Sequence, residues 1–98
     1  MTLRVVFRRA AKYEFENAAI WYDERQSDLG SQFTSEVKNA VELASNDPEK
    51  YPVKHGAIRC VQVRRFPYSV YYIHERHRIV VLAVFHARRN PSIWQSRA

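Results

Sequence analysis

Residues 68–86 read YSVYYIHERHRIVVLAVFH. Two apolar runs, 68–74 and 78–86, flank the polar tripeptide Glu75-Arg76-His77. Tyrosine, valine and isoleucine are enriched in strands, and a short polar segment between two such runs predicts a tight turn. The second run is apolar on both faces, which predicts a strand in the middle of a sheet. This stretch therefore predicts a β-hairpin at the centre of the fold.

Further strands are predicted on both sides of this hairpin. Residues 58–65 mix β-branched and basic side chains and end at a Phe66-Pro67 turn, so they predict a strand that enters the hairpin. Together the three sequential strands predict an antiparallel meander. Near the start of the chain, residues 3–8 alternate weakly in hydrophobicity and predict a first strand.

Two amphipathic helices are predicted between the first strand and the meander. In residues 10–27 one apolar stripe recurs at helical spacing: Ala11, Phe15, Ala18 and Tyr22. Residues 29–46 carry a second stripe at the same spacing: Leu29, Phe33, Val37, Ala40, Val41 and Ala44. Ser27-Asp28 predicts a stop and a new N-cap, and Asp47-Pro48 predicts the end of the second helix. With almost no loop between them, the two helices must fold back as a hairpin.

The order β-α-α-β-β-β indicates an α+β fold, with the helical hairpin packed on one face of an antiparallel sheet. We expect one domain over residues 1–98, because this length suits a single core. A lone cysteine, Cys60, cannot form an internal disulfide, and no apolar run is long enough to span a bilayer. These features predict a soluble cytoplasmic protein with no membrane partner. No cofactor is expected and no metal site either, since His74 and His77 lack further ligands nearby.

The charge is divided unequally along the chain. Residues 1–49 hold six Lys or Arg and nine Asp or Glu, whereas residues 50–98 hold ten Lys or Arg and one acid, Glu75. All four histidines also lie in the second half. Such a division predicts a positive surface along the sheet, which would attract a polyanion or an acidic protein partner.

Several short motifs occur in the same order as in a known family. They are an alanine- and aromatic-rich helical hairpin, Asp47-Pro48 followed by Tyr51-Pro52, then Arg64-Arg65-Phe66-Pro67-Tyr68, and finally His86-Ala87-Arg88-Arg89-Asn90-Pro91. Over residues 3–94 the chain resembles the RelE/ParE toxins of type II toxin–antitoxin systems, and its alanine-rich hairpin resembles the ParE branch. The resemblance implies a toxin neutralised by a cognate antitoxin, whose disordered and often acidic segment covers the basic face.

Two biochemical classes occur in this family. ParE-like members inhibit DNA gyrase and trap its cleaved DNA, whereas RelE-like members are ribosome-dependent endoribonucleases that cut mRNA. The resemblance to ParE favours gyrase as the target, with the ribosome and mRNA as the alternative. Only the nuclease alternative would make this chain an enzyme. RelE-like nucleases usually have a tyrosine close to the C-terminus, whereas the last tyrosine of this chain, Tyr72, lies well before it.

The candidate site residues differ between these alternatives. For a nuclease the catalytic candidates are His86, Arg65 and Arg89, because RNA cleavage needs a base, an acid and cations around the phosphate. For target binding the candidates are Arg64, Arg65, Arg88, Arg89 and Trp94. A third hypothesis is a simple nucleic-acid-binding module that uses Tyr68, Tyr71 and Tyr72, although aromatics at strand spacing more often form a core.

Overall fold

The computed structural model describes residues 3–98, and over that range the chain forms one five-stranded sheet with a helical hairpin on one face. Its elements follow in chain order: β1 (Arg4–Phe7), α1 (Arg9–Arg25), α2 (Leu29–Asn46), β2 (Val53–His55), β3 (Ile58–Gln62), β4 (Tyr68–Glu75), β5 (Arg78–His86) and α3 (Ser92–Gln95). The predicted α+β class and helical hairpin are confirmed.

The sheet is mixed, because its first strand pairs in parallel. The strand order is β1-β5-β4-β3-β2, and β1 pairs with β5 in parallel while the other pairs are antiparallel. The prediction of an antiparallel sheet was therefore wrong for this strand. Parallel pairing needs a long connection between the two strands, which here comprises α1, α2 and the three strands β2 to β4. Placing β1 beside β5 makes β5 an interior strand, as its apolar sequence predicted.

Both helices bury the stripes that their sequences predict. On α1 the alanines Ala11 and Ala18 are buried, with Phe15 and Tyr22 partly buried beside them. On α2 five residues of the stripe are buried and Leu29 is partly buried; the five are Phe33, Val37, Ala40, Val41 and Ala44. These stripes pack on the face of the sheet formed by Val61, Val70, Tyr72, Ile79, Val81 and Val84.

The connection between the helices differs from its prediction. Asp28 takes the N-cap position of α2, but its side chain makes no capping hydrogen bond and its φ is 74°. Instead the Asp23 carboxylate of α1 accepts a hydrogen bond from the Gly30 N–H at 2.7 Å. A Cβ on Gly30 would collide with the Ala19 carbonyl oxygen and with this carboxylate. The glycine thus permits the close crossing of the two helices.

The opposite face of the sheet is covered by the end of the chain. Trp94 of α3 packs there with Ile58, Val80, Leu82 and Phe85. Neither α3 nor the short strand β2 was predicted from the sequence. No helix within residues 3–98 combines the length and the apolar character needed to cross a bilayer.

Candidate target-binding site

The register of β4 on β5 gathers the predicted site residues at one end of the sheet. Tyr68 is the partner of His86, with ring centroids 5.1 Å apart, and the Ala87 N–H donates to the Pro67 carbonyl at 2.9 Å. The Val63–Phe66 loop and the chain after β5 therefore meet here. This places Arg64 and Arg65 at the same end as His86, Arg88 and Arg89.

A groove of about 610 Å³ opens at this end between α1 and the ends of β4 and β5. Its walls are largely apolar and aromatic, with Tyr13, Trp21 and Tyr22 from α1 facing Pro67, Tyr68 and Val84. The groove is also lined by three ionisable side chains, those of Glu14, His86 and Arg89. This volume lies in the range of ligand-binding clefts, and the few polar groups would fix the orientation of an occupant.

Glu14 organises the charges beside the groove. Its side chain is 10% exposed, and its carboxylate accepts from the Val84 N–H at 3.1 Å, from Arg89 at 3.1 Å and from Arg97 at 2.9 and 3.0 Å. Arg97 also donates to the Leu82 carbonyl at 3.0 Å. The pairing of β5 with β1 ends at Val81. Beyond it, the Leu82 carbonyl and the Val84 N–H on the outer edge of β5 form hydrogen bonds with side chains instead of with a neighbouring strand.

Arg65 is engaged by α2 instead of by the groove. Its guanidinium donates to the Gln32 side-chain oxygen at 2.7 Å and lies 3.8 Å from the Glu36 carboxylate. Its φ of 71° is in the left-handed region, so the side chain leaves the loop toward the helix. Its cation is partly neutralised there, which weakens the case for a phosphate-binding role.

His86 lines the groove, and one of its ring nitrogens already accepts a hydrogen bond. Its Nδ1 accepts a hydrogen bond from the Arg88 N–H at 3.0 Å. The neutral ring therefore carries its proton on Nε2. The neighbouring Tyr68 offers no group that titrates near neutrality: burial raises the pKa of its phenol above the usual 10, Tyr22 and Glu14 raise it further, and Arg89 opposes them.

Two of the predicted cations remain available to a partner. The side chains of Arg64 and Arg88 are exposed and make no hydrogen bond or ion pair with any residue in 3–98. Four other basic residues of the second half, Arg65, Arg78, Arg89 and Arg97, are ion-paired. The positive surface is consequently smaller than the charge count predicts. At the end of the sheet where β4 begins and β5 ends, its unpaired cations are Arg64 and Arg88.

Comparison with known proteins identifies the family. A family model described as the ParE toxin of the type II toxin–antitoxin system parDE matches residues 5–91. The chain belongs to the ParE toxin family. Among solved structures, one described as the chromosomal ParDE TA system from P. aeruginosa matches 89% of this chain and 98% of that chain, with a TM-score of 0.77 and 12% sequence identity. At that identity the likeness shows the fold alone. No curated protein matches the sequence.

In this ParE-family chain the aromatic candidates are mainly core residues. Trp94 is 5% exposed and stacks on Tyr71, with ring centroids 3.9 Å apart and an interplanar angle of 14°. Tyr72 is fully buried, and its hydroxyl donates to the Pro48 carbonyl at 2.7 Å. Tyr71 is partly buried beneath Trp94, and of the three tyrosines only Tyr68 lines the groove. The burial of Trp94 argues against it as a target contact, and the burial of Tyr72 removes one of the three rings on which the nucleic-acid-binding hypothesis depends.

Sequence reasoning missed three residues of the groove. Tyr13 and Trp21 are eight residues apart on α1, a spacing that places them on one face and could have indicated a second stripe. Glu14 carries no comparable signal, since its arginine partners lie 75 and 83 residues further along the chain. Within residues 3–98 no three His, Cys, Asp or Glu side chains come together as a metal site.

Proposed function

We propose that this toxin inhibits DNA gyrase and that a cognate antitoxin neutralises it. The observation that carries the proposal is the match to the ParE family over residues 5–91. Gyrase is the target that the ParE branch implies, and an antitoxin is the partner of a type II toxin. The proposed contact with gyrase uses the exposed Arg64 and Arg88, with Arg65 and Arg89 held beside them by α2 and α1.

The pairing of the arginines supports this target over RNA. In-line RNA cleavage needs cations free to stabilise a phosphate and a pair of groups that exchange protons. Here Arg89 is engaged by Glu14 and Arg65 by Glu36. The raised pKa of Tyr68 also suits it poorly to proton transfer at neutral pH. By contrast, the exposed Arg64 and Arg88 can steer and orient an acidic protein surface.

A supercoiling assay with purified toxin, freed of antitoxin, tests the target. We expect the wild type to block gyrase supercoiling, and the variant Arg64→Ala/Arg88→Ala to need roughly tenfold more protein, as for loss of two interface contacts. The matched control is Arg76→Ala, which removes an exposed arginine from the turn between β4 and β5 at the opposite end of the sheet. It should inhibit like the wild type.

The ribonuclease alternative has its own assay. Programmed ribosomes are incubated with the same toxin preparation, and the mRNA is mapped for cleavage. We expect intact mRNA. Cleavage in the ribosomal A site that disappears in His86→Ala, together with undisturbed gyrase, would overturn the proposal, because His86 is the one imidazole that lines the groove.

A further inference from the structure

The turn that follows β5 carries two adjacent arginines whose side chains differ in their surroundings. Arg89 is held inward, because its guanidinium donates to the Glu14 carboxylate at 3.1 Å and lies 4.2 Å from the centre of the Phe85 ring. Arg88 has an exposed side chain that makes no hydrogen bond or ion pair with any residue in 3–98. The direction in which Arg88 points is therefore set by the backbone of this turn.

His86 organises that backbone with both its main chain and its ring. Its carbonyl accepts a hydrogen bond from the Arg89 N–H at 3.1 Å, which closes a turn over residues 86–89. Its Nδ1 accepts from the Arg88 N–H at 3.0 Å, and within the described part of the chain the Arg88 amide donates to no other group. The ring is itself held in place, since it meets the ring of Tyr68 edge-on with centroids 5.1 Å apart. The imidazole thus joins the start of β4 to the amide of Arg88.

The same contact between a side chain and the backbone recurs four residues later. The Asn90 side-chain oxygen accepts from the Ser92 N–H at 3.0 Å, again two residues along the chain. Asparagine commonly makes this contact, which is known as an Asx-turn. The Nδ1 of histidine and the Oδ1 of asparagine are the same number of bonds from Cα, so the His86 ring makes the contact of an Asx residue.

This contact bears on the catalytic role for which the sequence makes His86 a candidate. A histidine acts as a general base through a ring nitrogen that has a free lone pair. In the neutral ring Nε2 carries the proton, and the lone pair of Nδ1 is taken by the Arg88 N–H. The ring therefore uses its acceptor within the fold and has one donor left for other contacts.

We infer that His86 is a positioning residue, whose Nδ1 fixes the turn that presents Arg88 to the target. The inference rests on the proposed function, in which Arg88 contacts gyrase, and it adds the group that orients this contact. Two roles for the imidazole differ in the nitrogen that each requires. Positioning uses Nδ1, whereas proton donation to RNA or a direct contact with the target uses Nε2.

Substitutions that retain one nitrogen position each test the inference in the supercoiling assay. His86→Asn keeps an acceptor where Nδ1 stands, His86→Gln keeps a polar group near the position of Nε2, and His86→Leu keeps neither. We expect His86→Asn to inhibit gyrase within about 1.5-fold of the wild type. His86→Gln and His86→Leu should need about threefold more protein, because one hydrogen bond that orders the turn is lost.

A double-mutant cycle shows whether His86 acts through Arg88. We expect Arg88→Ala to need about fivefold more protein than the wild type, and His86→Leu/Arg88→Ala to need the same amount, because the turn then has no cation to present. Independent contributions would multiply to about 15-fold. Either that product or recovery in His86→Gln but not in His86→Asn contradicts the inference, since the imidazole then contacts the target itself.

Hydrogen exchange at the Arg88 amide gives a readout that does not depend on gyrase. The amide should exchange about fivefold faster in His86→Leu and His86→Gln than in the wild type, and at the wild-type rate in His86→Asn. The matched control is Asn90→Ala, which removes the corresponding contact with Ser92 and leaves the acceptor of the Arg88 amide in place. It should change neither the exchange of this amide nor the inhibition of gyrase.

The two readouts separate the inference from the proposed function. If the wild type does not inhibit gyrase but the exchange of the Arg88 amide follows the series, the proposed target fails and the positioning of the turn by His86 stands. If all the variants exchange alike, Nδ1 does not fix the turn and the inference fails, whatever the toxin does to gyrase. A loss of stability in His86→Leu does not affect this test, because His86→Asn and His86→Gln decide it between them.

Discussion

Helices α1 and α2 form one hairpin but distribute their large side chains in opposite ways. α2 buries Phe33 and Val37 completely and leaves Leu43 as its one large exposed apolar side chain. α1 buries the small residues Ala11 and Ala18 and exposes Tyr13, Ile20 and Trp21. Small buried residues let α1 lie close to β5, while Tyr13 and Trp21 remain exposed and Phe15 and Tyr22 pack against the core. We conclude that α2 mainly stabilises the fold, whereas α1 both packs on the sheet and presents large apolar side chains to solvent.

The largest expected effect tests the role of α2. Phe33 has the rings of Phe15, Tyr22, Phe66 and Tyr68 around it, with centroids 5.0 to 6.1 Å away. We expect Phe33→Ala to lower the free energy of unfolding by about 4 kcal/mol, because it leaves a cavity in a close-packed cluster. Urea denaturation measures this loss.

The matched change on α1 is Tyr13→Ala, which removes an aromatic ring that is mostly exposed. We expect it to change the free energy of unfolding by no more than about 0.5 kcal/mol, as for an ordinary surface position. Comparable losses in Phe33→Ala and Tyr13→Ala would contradict the division of roles between the two helices.

A smaller effect is expected for the polar group that anchors α1. Glu14→Ala leaves Arg97, Arg89 and the Val84 N–H without their shared acceptor. We expect the free energy of unfolding to fall by about 2 to 3 kcal/mol, near the low end for breaking a buried ion pair because Arg89 is partly exposed. Thermal unfolding at constant pH provides the measurement.

The control for this prediction is Glu16→Ala, which removes an exposed carboxylate two residues further along α1. It should leave the stability within about 0.5 kcal/mol of the wild type. If the two glutamate variants unfold at the same temperature, Glu14 does not hold the end of the chain to α1 and does not stabilise the outer edge of β5.

These contacts also show why the sequence predicted the fold better than the site. The bounds of α2 and β5 follow from hydrophobic periodicity and from Asp47-Pro48, which are local signals. The partners of Glu14 lie at the other end of the chain, so no local pattern indicates them. The burial of Trp94 likewise depends on how the last residues cross the sheet. A count of charges along the chain also cannot show which of them are paired in space, such as Arg65 with Glu36.

Arg65 illustrates a second reason for the differences. The predicted strand 58–65 stops at Gln62, since the backbone turns at residues 63–67 and Arg65 adopts a positive φ. An arginine has no sequence signal for that conformation, which glycine or asparagine usually takes. The turn is closed by the Val63 N–H, which donates to the Tyr68 carbonyl at 2.9 Å. Tertiary contacts therefore override the strand preference of this segment.

The smallest expected effect concerns the tether at the end of α2. The Tyr72 hydroxyl of β4 donates to the Pro48 carbonyl just after that helix, and burial raises the pKa of this phenol to about 12. We expect Tyr72→Phe to cost about 1 kcal/mol near neutral pH, the usual contribution of one hydrogen bond.

The pH dependence distinguishes this tether from simple packing. In the unfolded chain the phenol loses its proton near its ordinary pKa of 10, whereas the folded state retains it until about 12. The proton-bound hydroxyl thus contributes its full stability below pH 10, and that contribution is lost as the pH rises from 10 to 12. The wild type should lose stability more steeply than Tyr72→Phe over this interval in denaturant titrations. Tyr13→Phe, which alters an exposed phenol, should show the same pH dependence as the wild type. If the unfolding free energies of the wild type and Tyr72→Phe fell equally steeply with pH, burial would not be holding the phenol of Tyr72 in its protonated form.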